Sequence, residues 1–297
     1  MHKSPVILIG MHRSGTSLLS RLLENLGIFM GYKKDTNNEA IYFQNFNKWI
    51  FKQVKASWDN PYNYNFLKLD SKKIELIVKI AQNYLKSFKT IDYFGKSKFL
   101  AYRGNIFNID FLWGWKDPLN TFTIDIWIKL FPDAKIIHIY RNPIDVAKSL
   151  QKREINTRKD FEEELGKNKI LKIFKENIFY FWEDLKYGDS TRVLDLNEGI
   201  LLWEEYTKRA FSVEEEIKKK IVHIKYEDLL ENPFPIMNSL IENLELNIPS
   251  KDIENVTKMI KSERRYAFTK DPALVEKYKK IKDRDIIKKL GYDSIKI

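Results

Sequence analysis

Short apolar runs alternate with polar loops and amphipathic segments along much of the chain. The first run, Val6–Ile9, is followed by a loop at residues 10–15, and leucines then recur at helical spacing over residues 17–26. A short apolar run that ends at a glycine is typical of a buried strand, and the leucine spacing is typical of an amphipathic helix. The pattern therefore predicts a strand, a loop and a helix in succession.

The same unit recurs three times. Apolar runs at residues 111–116, 135–141 and 221–231 each precede an Asp-Pro or Asn-Pro pair and then a helical pattern. Asp and Asn can cap a helix, and proline fits its first position. Strands that alternate with helices predict an α/β fold, a parallel sheet covered on both faces that binds ligands at the carboxyl ends of its strands. Arg13, Lys116, Arg141 and Tyr226 all fall at such strand ends.

Helical spacing also marks residues 39–54 and 71–88, whereas residues 57–70 resemble an ordered loop rich in aromatic and turn residues. The 297 residues are enough to bury a large core. Because no linker, repeat or low-complexity tract interrupts the chain, we expect a single domain over residues 1–297.

Composition excludes several classes of site and protein. The chain has no cysteine, which excludes disulfides and thiolate sites, and its four histidines lack metal-ligand spacing. No apolar run approaches the roughly 18 residues of a membrane span, and the N-terminus lacks a signal-length core. These features predict a soluble cytoplasmic protein that requires no metal.

The net charge of +11 arises from 52 basic and 41 acidic side chains. Such a surplus suits an anionic cofactor or acceptor, but it equally suits an ordinary charged surface. Charge alone would allow a nucleic-acid-binding or anion-binding protein. The chain has no recognisable nucleic-acid-binding motif, which argues against nucleic acid as a partner.

The first loop has the composition of a phosphate cradle. Gly10 and Gly15 are spaced as in a P-loop, but Thr16 stands where a nucleotide-hydrolysing P-loop has its lysine, and the cation is Arg13. Backbone N–H groups at the start of a helix bind anions. Phosphate binding without ordinary Mg-ATP chemistry is therefore expected. The alternative is a tight turn, in which Gly15 supplies the bend and Thr16 or Ser17 caps the helix.

This loop resembles the 5′-phosphosulfate loop of the sulfotransferases, which use 3′-phosphoadenosine 5′-phosphosulfate (PAPS). The matching residues are Arg13, Ser14, Gly15, Thr16 and Ser17. The resemblance implies a P-loop-like parallel α/β fold with additional helices, PAPS as co-substrate, and in-line transfer of the sulfuryl group to an acceptor hydroxyl or amine.

A second family signature, an Arg at the end of a strand with a Ser eight residues later, holds the 3′-phosphate of PAPS. Arg141 and Ser149 have that spacing and resemble it. The alternatives are that Arg141 pairs with a local carboxylate and that Ser149 lies on a solvated helix face.

Two further positions are similar to family positions around the nucleotide. Tyr226, in KYEDLLENP, matches a strand-end tyrosine near the adenine, although a core tyrosine is the alternative. Arg264 and Arg265 are the candidates for a basic loop over the 3′-phosphate.

The candidate catalytic residues are inferred from the negative charge that moves onto the leaving group during sulfuryl transfer. Cations should meet the negative charge that grows on the leaving group, and Arg13 and Lys116 are the candidates. Cytosolic members of the family have a histidine two residues after that lysine, where this chain has Pro118. Other branches use a glutamate just after the first helix, a place that Glu39 occupies. The alternative for Glu39 is a first-turn acid favoured by the helix dipole.

The other candidates for a base have structural interpretations. Asp117 is expected to cap a helix, His12 is a loop residue with no predicted partner, and His138 is a structural strand residue. The family builds its acceptor cleft from segments that correspond to residues 32–111 and 155–210, here rich in aromatic residues. Aromatic walls can hold a carbohydrate, a phenol or a lipid. A rival function, a P-loop phosphotransferase such as a small-molecule kinase, is opposed by Thr16 and by the lack of an obvious Mg-binding carboxylate.

Overall fold

The computed structural model describes residues 3–167 and 187–297. Within these residues, four strands form one sheet in the order β2-β1-β3-β4, and all three pairings are parallel. The predicted parallel sheet is confirmed. The strands are β1 Val6–Ile9, β2 Gly114–Lys116, β3 Lys135–Tyr140 and β4 Ile221–Lys225.

Helices surround the sheet. The α-helices of the described residues are α1 Thr16–Asn25, α2 Ile41–Lys52, α3 Tyr64–Leu67, α4 Ser71–Tyr84, α5 Ile91–Ala101, α6 Asn120–Leu130, α7 Pro143–Lys167, α8 Leu196–Ile217, α9 Tyr226–Glu231, α10 Pro233–Asn243, α11 Ser250–Thr257, α12 Pro272–Ile281 and α13 Asp285–Lys289. Short 3-10 turns occur at Phe88–Thr90, Ile106–Asn108, Arg192–Leu194, Ser262–Arg264 and Ala267–Lys270. None of the helices in these two ranges combines the length and the apolar composition that crossing a bilayer requires.

The two faces of the sheet bury separate hydrophobic cores. Successive strand residues point to opposite faces, so Ile7 and Ile9 enter one core while Val6 and Leu8 enter the other. The first core includes the aromatic side of α2, where Phe43 stacks on Trp115 with ring centroids 4.0 Å apart. Because both faces are covered, the strands are apolar on both sides.

Local differences from the predicted elements follow from helical spacing. Residues 226–231 form α9 and not the end of a strand, because Tyr226, Leu229 and Leu230 bury one helical face. The segment at residues 57–70 contains α3, whose single turn buries Tyr64 and Leu67. Helix α7 also continues far beyond residue 153, and α4 ends four residues before residue 88.

One of the three predicted caps is made. Asn142 Oδ1 accepts hydrogen bonds from the N–H groups of Ile144 (3.0 Å) and Asp145 (3.4 Å). Asp117 Oδ1 accepts one from the N–H of Leu119 at 3.0 Å, but Leu119 is the N-cap of α6 and no side chain of the described residues caps that helix. The side chain of Asn232 makes no capping hydrogen bond at the start of α10.

The strand order creates a switch point between β1 and β3. The chain runs from β1 to β2 on one side and then crosses to β3 on the other side. Open α/β sheets bind ligands at such a point, outside the carboxyl ends of the strands. The loop at residues 10–15 and the start of α7 meet there.

Candidate functional site

A polar cavity of about 220 Å³ lies at the carboxyl ends of β1, β2 and β3. Its walls come from the loop after β1, the segment before α2, the end of β2 and the start of α7. We call it the first cavity. The predicted site residues on its walls are Arg13, Gly15, Thr16, Ser17, Glu39, Lys116, Arg141, Ser149, Tyr226 and Arg264.

The loop after β1 needs both of its glycines. Gly10 and Gly15 have φ angles of 139° and 99°, in a region that L side chains rarely adopt. A Cβ at Gly10 would lie 2.4 Å from the carbonyl oxygen of Ile139, and one at Gly15 would lie 2.3 Å from Cδ2 of Tyr226. The loop is therefore held close to β3 and to α9, and this close approach brings Tyr226 beside the loop.

Arg13 and Ser149 meet across the first cavity. Arg13 Nε donates to Ser149 Oγ at 2.9 Å, although the two residues belong to different strand-helix units. Burial lowers the pKa of Arg13, and so do the neighbouring guanidinium groups of Arg153, Arg264 and Arg141. The lowered pKa of Arg13 reflects a concentration of positive charge around it, which an anionic ligand would neutralise.

Arg141 lies on the wall of the first cavity and also makes the alternative contact, a pairing with a local carboxylate. Its guanidinium lies over the ring of Tyr226, 4.8 Å from the centroid, and Nη2 donates to the carbonyl of Arg264 at 3.1 Å. Nη2 also lies 3.5 Å from Oδ2 of Asp145, so the expected pairing with a local carboxylate is present as well. Its Nε is buried and finds no hydrogen-bond partner within the described ranges.

Lys116 and Glu39 form a buried ion pair on the wall of the first cavity. Lys116 Nζ lies 3.0 Å from Glu39 Oε1 and donates to the carbonyl of Asn37 at 2.7 Å. Gln44 Nε2 donates to Glu39 Oε2 at 2.5 Å. Since Ala40 is the N-cap of α2, Glu39 precedes the helix and does not lie in its first turn. Lys116 is only 1 % exposed, so it is not an ordinary surface lysine.

Asp117 is buried close to this ion pair. Its Oδ2 accepts a hydrogen bond from Asn47 Nδ2 at 2.8 Å. Burial, and then the charge of Glu39, raise the pKa of Asp117 to about 7. Removal from water disfavours the charged carboxylate, and a second carboxylate adds to the effect.

His12 occupies the loop between the two glycines. Its ring packs edge-on against Trp58, with centroids 5.0 Å apart, and its buried Nε2 has no hydrogen-bond partner in the described part of the chain. Burial lowers the pKa of His12 well below its ordinary value, as do the charges of Arg153, Lys116 and Arg13. The imidazole is therefore neutral near pH 7.

Two predicted residues do not reach the first cavity. Ser14 is a fully buried residue of the loop, and Arg265 pairs with Glu231 at 2.5 Å and does not line the cavity. Elsewhere, His138 lies inside the sheet, where its Nδ1 shares a hydrogen bond of 2.9 Å with Nδ1 of His223. That location agrees with the structural interpretation of His138.

Two protein-family models match the chain. The model described as the sulfotransferase family matches residues 5–197, which is more than half of the sequence, and a sulfotransferase domain model matches residues 117–286. The chain belongs to the sulfotransferase family. A search of curated proteins finds no match to this sulfotransferase.

Three solved structures that resemble the chain are themselves named as sulfotransferases. The sulfotransferase domain from the curacin biosynthetic pathway is 14 % identical, with 95 % of this chain and 92 % of that chain covered and a TM-score of 0.45. The sulfotransferase domain from the olefin synthase of Synechococcus PCC 7002 is 15 % identical, and a sulfotransferase from Alicyclobacillus acidocaldarius is 18 % identical. For both, 99 % of this chain and 98 % of that chain are covered, with a TM-score of 0.47.

Sequence reasoning missed Arg153, a cationic residue on the wall of the first cavity. It follows Ser149 by one helical turn on α7 and lines the same cavity. Helix periodicity could have found it, because residues i and i+4 share a face. Its guanidinium lies 4.8 Å from the ring centroid of Trp58, and its Nε is buried with no hydrogen-bond partner in the residues described.

Proposed function

We propose that this sulfotransferase binds PAPS in the first cavity and transfers its sulfuryl group to a hydroxyl group of an acceptor. The observation that carries the proposal is the set of unneutralised cations on the walls. Within the described ranges, no carboxylate lies at ion-pair distance from Arg13, Arg153 or Arg264. Two paired cations, Lys116 and Arg141, line the same cavity. A nucleotide with a phosphosulfate and a 3′-phosphate supplies several negative charges to such a cluster.

The walls divide into three subsites for this nucleotide. The loop at residues 13–17 and the N-terminus of α1 would hold the phosphosulfate. Arg141, Ser149 and Arg264 would hold the 3′-phosphate, and Tyr226 would contact the adenine. The hydrogen bond from Arg13 to Ser149 joins a residue of the first subsite to one of the second, which supports this division.

Transfer requires one bond to form while another breaks. The acceptor oxygen attacks the sulfur, and the bond from sulfur to the bridging oxygen of the phosphosulfate breaks, so adenosine 3′,5′-bisphosphate leaves with the negative charge. Arg13 and Lys116 would stabilise the charge on that oxygen. Glu39, beside Lys116, would take the proton of the attacking hydroxyl.

Ligand-dependent stability tests the donor. Thermal unfolding is followed during titration with adenosine 3′,5′-bisphosphate or ATP, each with and without Mg²⁺. The bisphosphate alone should stabilise the protein, by about 2.7 kcal/mol at 100 times its Kd. Arg264→Ala should weaken this effect, whereas Arg265→Ala is the matched control that should not. Equal or greater stabilisation by Mg-ATP would instead favour a phosphotransferase. Incubation with sulfur-labelled PAPS and a set of acceptors then tests transfer itself.

A further inference from the structure

A second cavity, of about 330 Å³, adjoins the first and shares four wall residues with it: His12, Asn37, Glu39 and Arg153. We propose that the second cavity binds the acceptor as an uncharged or cationic polyhydroxyl group, such as a sugar or amino-sugar residue. This inference rests on the proposed function, since it names the acceptor class for the same reaction.

The shared wall is where donor and acceptor would meet. Glu39 Oε1 contacts Lys116 of the first cavity, while Glu39 Oε2 accepts from Gln44, a wall residue of the second cavity. A hydroxyl presented from the second cavity therefore reaches a carboxylate that lies next to the proposed sulfuryl site. The volume is at the small end of the range for ligand pockets, which runs from about 300 to 1,000 Å³.

The charge of the second cavity selects against anions. Its walls carry two cationic side chains, Lys48 and Arg153, and a larger set of carboxylates: Asp35, Glu39, Asp59 and Asp189, apart from Asp117, whose pKa burial and Glu39 raise so that it is harder to ionise. A carboxylate or sulfate on the acceptor would meet like charges there, which is a common means of rejecting a wrong ligand. An amine on the acceptor would meet opposite charges.

The same walls demand hydrogen-bond donors. Ionised carboxylates only accept hydrogen bonds. Asp59 uses one oxygen, for Ser57 Oγ at 2.5 Å, and the carboxylate of Asp189 makes no hydrogen bond within the described residues. His12 adds Nε2, which has no hydrogen-bond partner among the described residues and donates or accepts according to the tautomer of the ring. Several hydroxyl groups on one small ring would satisfy these groups together, because a hydroxyl both donates and accepts.

Apolar acceptors would find little surface in the second cavity. Trp58 and Leu119 are the large apolar residues on its described walls, and the guanidinium of Arg153 lies over the ring of Trp58. Lipid chains and phenols gain affinity from apolar and aromatic walls. The polar lining therefore favours a polyol over both.

Ligand-observed NMR with the full chain loaded with adenosine 3′,5′-bisphosphate tests the class. The probes are methyl glucoside, glucosamine, glucuronate and p-nitrophenol, which have similar sizes. We expect binding of the first two at millimolar concentration, and labelled PAPS should transfer sulfur to them in preference to the others. Preferred binding of glucuronate or p-nitrophenol, or no binding of either neutral or cationic sugar, would overturn the assignment. Stabilisation by the bisphosphate reports separately on the donor site, so the two proposals can fail independently.

A charge-removal variant tests the residues. Asp59→Asn with Asp189→Asn should reduce the preference for glucosamine over glucuronate by about tenfold, which corresponds to 1.4 kcal/mol. Asp133→Asn is the matched control, since Asp133 is exposed and lies outside the second cavity. An unchanged preference in the double variant would place acceptor selection elsewhere.

Discussion

Lys116 and Glu39 face each other at the boundary between the two cavities, with Nζ 3.0 Å from Oε1 and both side chains almost fully buried. Each holds the other in place, because a buried charge is costly without a partner. The pair therefore places a cation and a carboxylate where the proposed reaction needs both. For a variant of either residue, the stability of the fold should be measured before a change in activity is interpreted.

Glu39→Gln tests the proposed base. Glutamine keeps an oxygen for Lys116 and loses the basicity, so turnover should fall about 10²- to 10⁴-fold. Binding of adenosine 3′,5′-bisphosphate should change little, because Glu39 would meet the acceptor. The measurements are kcat with labelled PAPS and the Kd of the bisphosphate by calorimetry.

Glu245→Gln is the control for that experiment, since Glu245 pairs with Lys135 on the surface. Unfolding curves are needed as well, because the new amide would face the amide of Gln44. If folded Glu39→Gln protein turns over at nearly the normal rate, Glu39 is not the base.

Arg13→Ala tests stabilisation of the leaving group. The charge that Arg13 meets is largest in the transition state, so turnover should fall by a larger factor than affinity for the bisphosphate. Arg264→Ala provides the comparison, because a residue that holds only the 3′-phosphate should affect donor binding and kcat/KM alike. Equal losses of kcat and of product affinity in Arg13→Ala would assign Arg13 to binding alone.

Local patterns in the sequence predicted the sheet and the glycine-bounded loop after its first strand. The spacing of Gly10 and Gly15, and of Arg141 and Ser149, lies within single strand-helix units, so it is visible without tertiary structure. The helical face formed by Tyr226, Leu229 and Leu230 was also visible, but the apolar run before it was extended too far as a strand.

The remaining site residues depend on contacts that a sequence pattern does not contain. Arg153 meets Trp58 only because α7 packs against a distant loop, and this contact forms one side of the second cavity. Arg264 and Arg265 are neighbours, yet one lines the first cavity and the other pairs with Glu231. Which of two adjacent side chains points inward is decided by the turn at Ser262–Arg264.

Arg141→Ala tests recognition of the 3′-phosphate. Loss of a charge-assisted contact should weaken adenosine 3′,5′-bisphosphate by about 1.5–3 kcal/mol. Adenosine 5′-phosphate, which lacks the 3′-phosphate, should be affected far less, and calorimetry on both nucleotides measures the difference. The variant also leaves Asp145 buried without its partner, so its folding must be checked. Equal weakening of both nucleotides would remove Arg141 from the 3′-phosphate subsite.

Asp117 should give the protein a pH-dependent stability of unusual sign. Its pKa is raised from 3.8 to about 7 by burial and by Glu39. Between these values the unfolded chain has lost the proton that the folded protein keeps, so the unfolding free energy falls as pH rises. The loss is absent below about pH 4, complete above about pH 7 and on the order of 4 kcal/mol.

Asp117→Asn removes the titration, so the stability difference between variant and wild type should shift in favour of the variant across this window, as measured by urea unfolding. The absolute value is less informative, since the new amide would face Asn47 Nδ2. Asp195→Asn is the control of opposite sign, because backbone hydrogen bonds from Glu198 and Asn197 lower the pKa of Asp195 and its contribution is lost as pH falls. A difference for Asp117→Asn that is independent of pH would show that Asp117 is ionised throughout, beside Glu39.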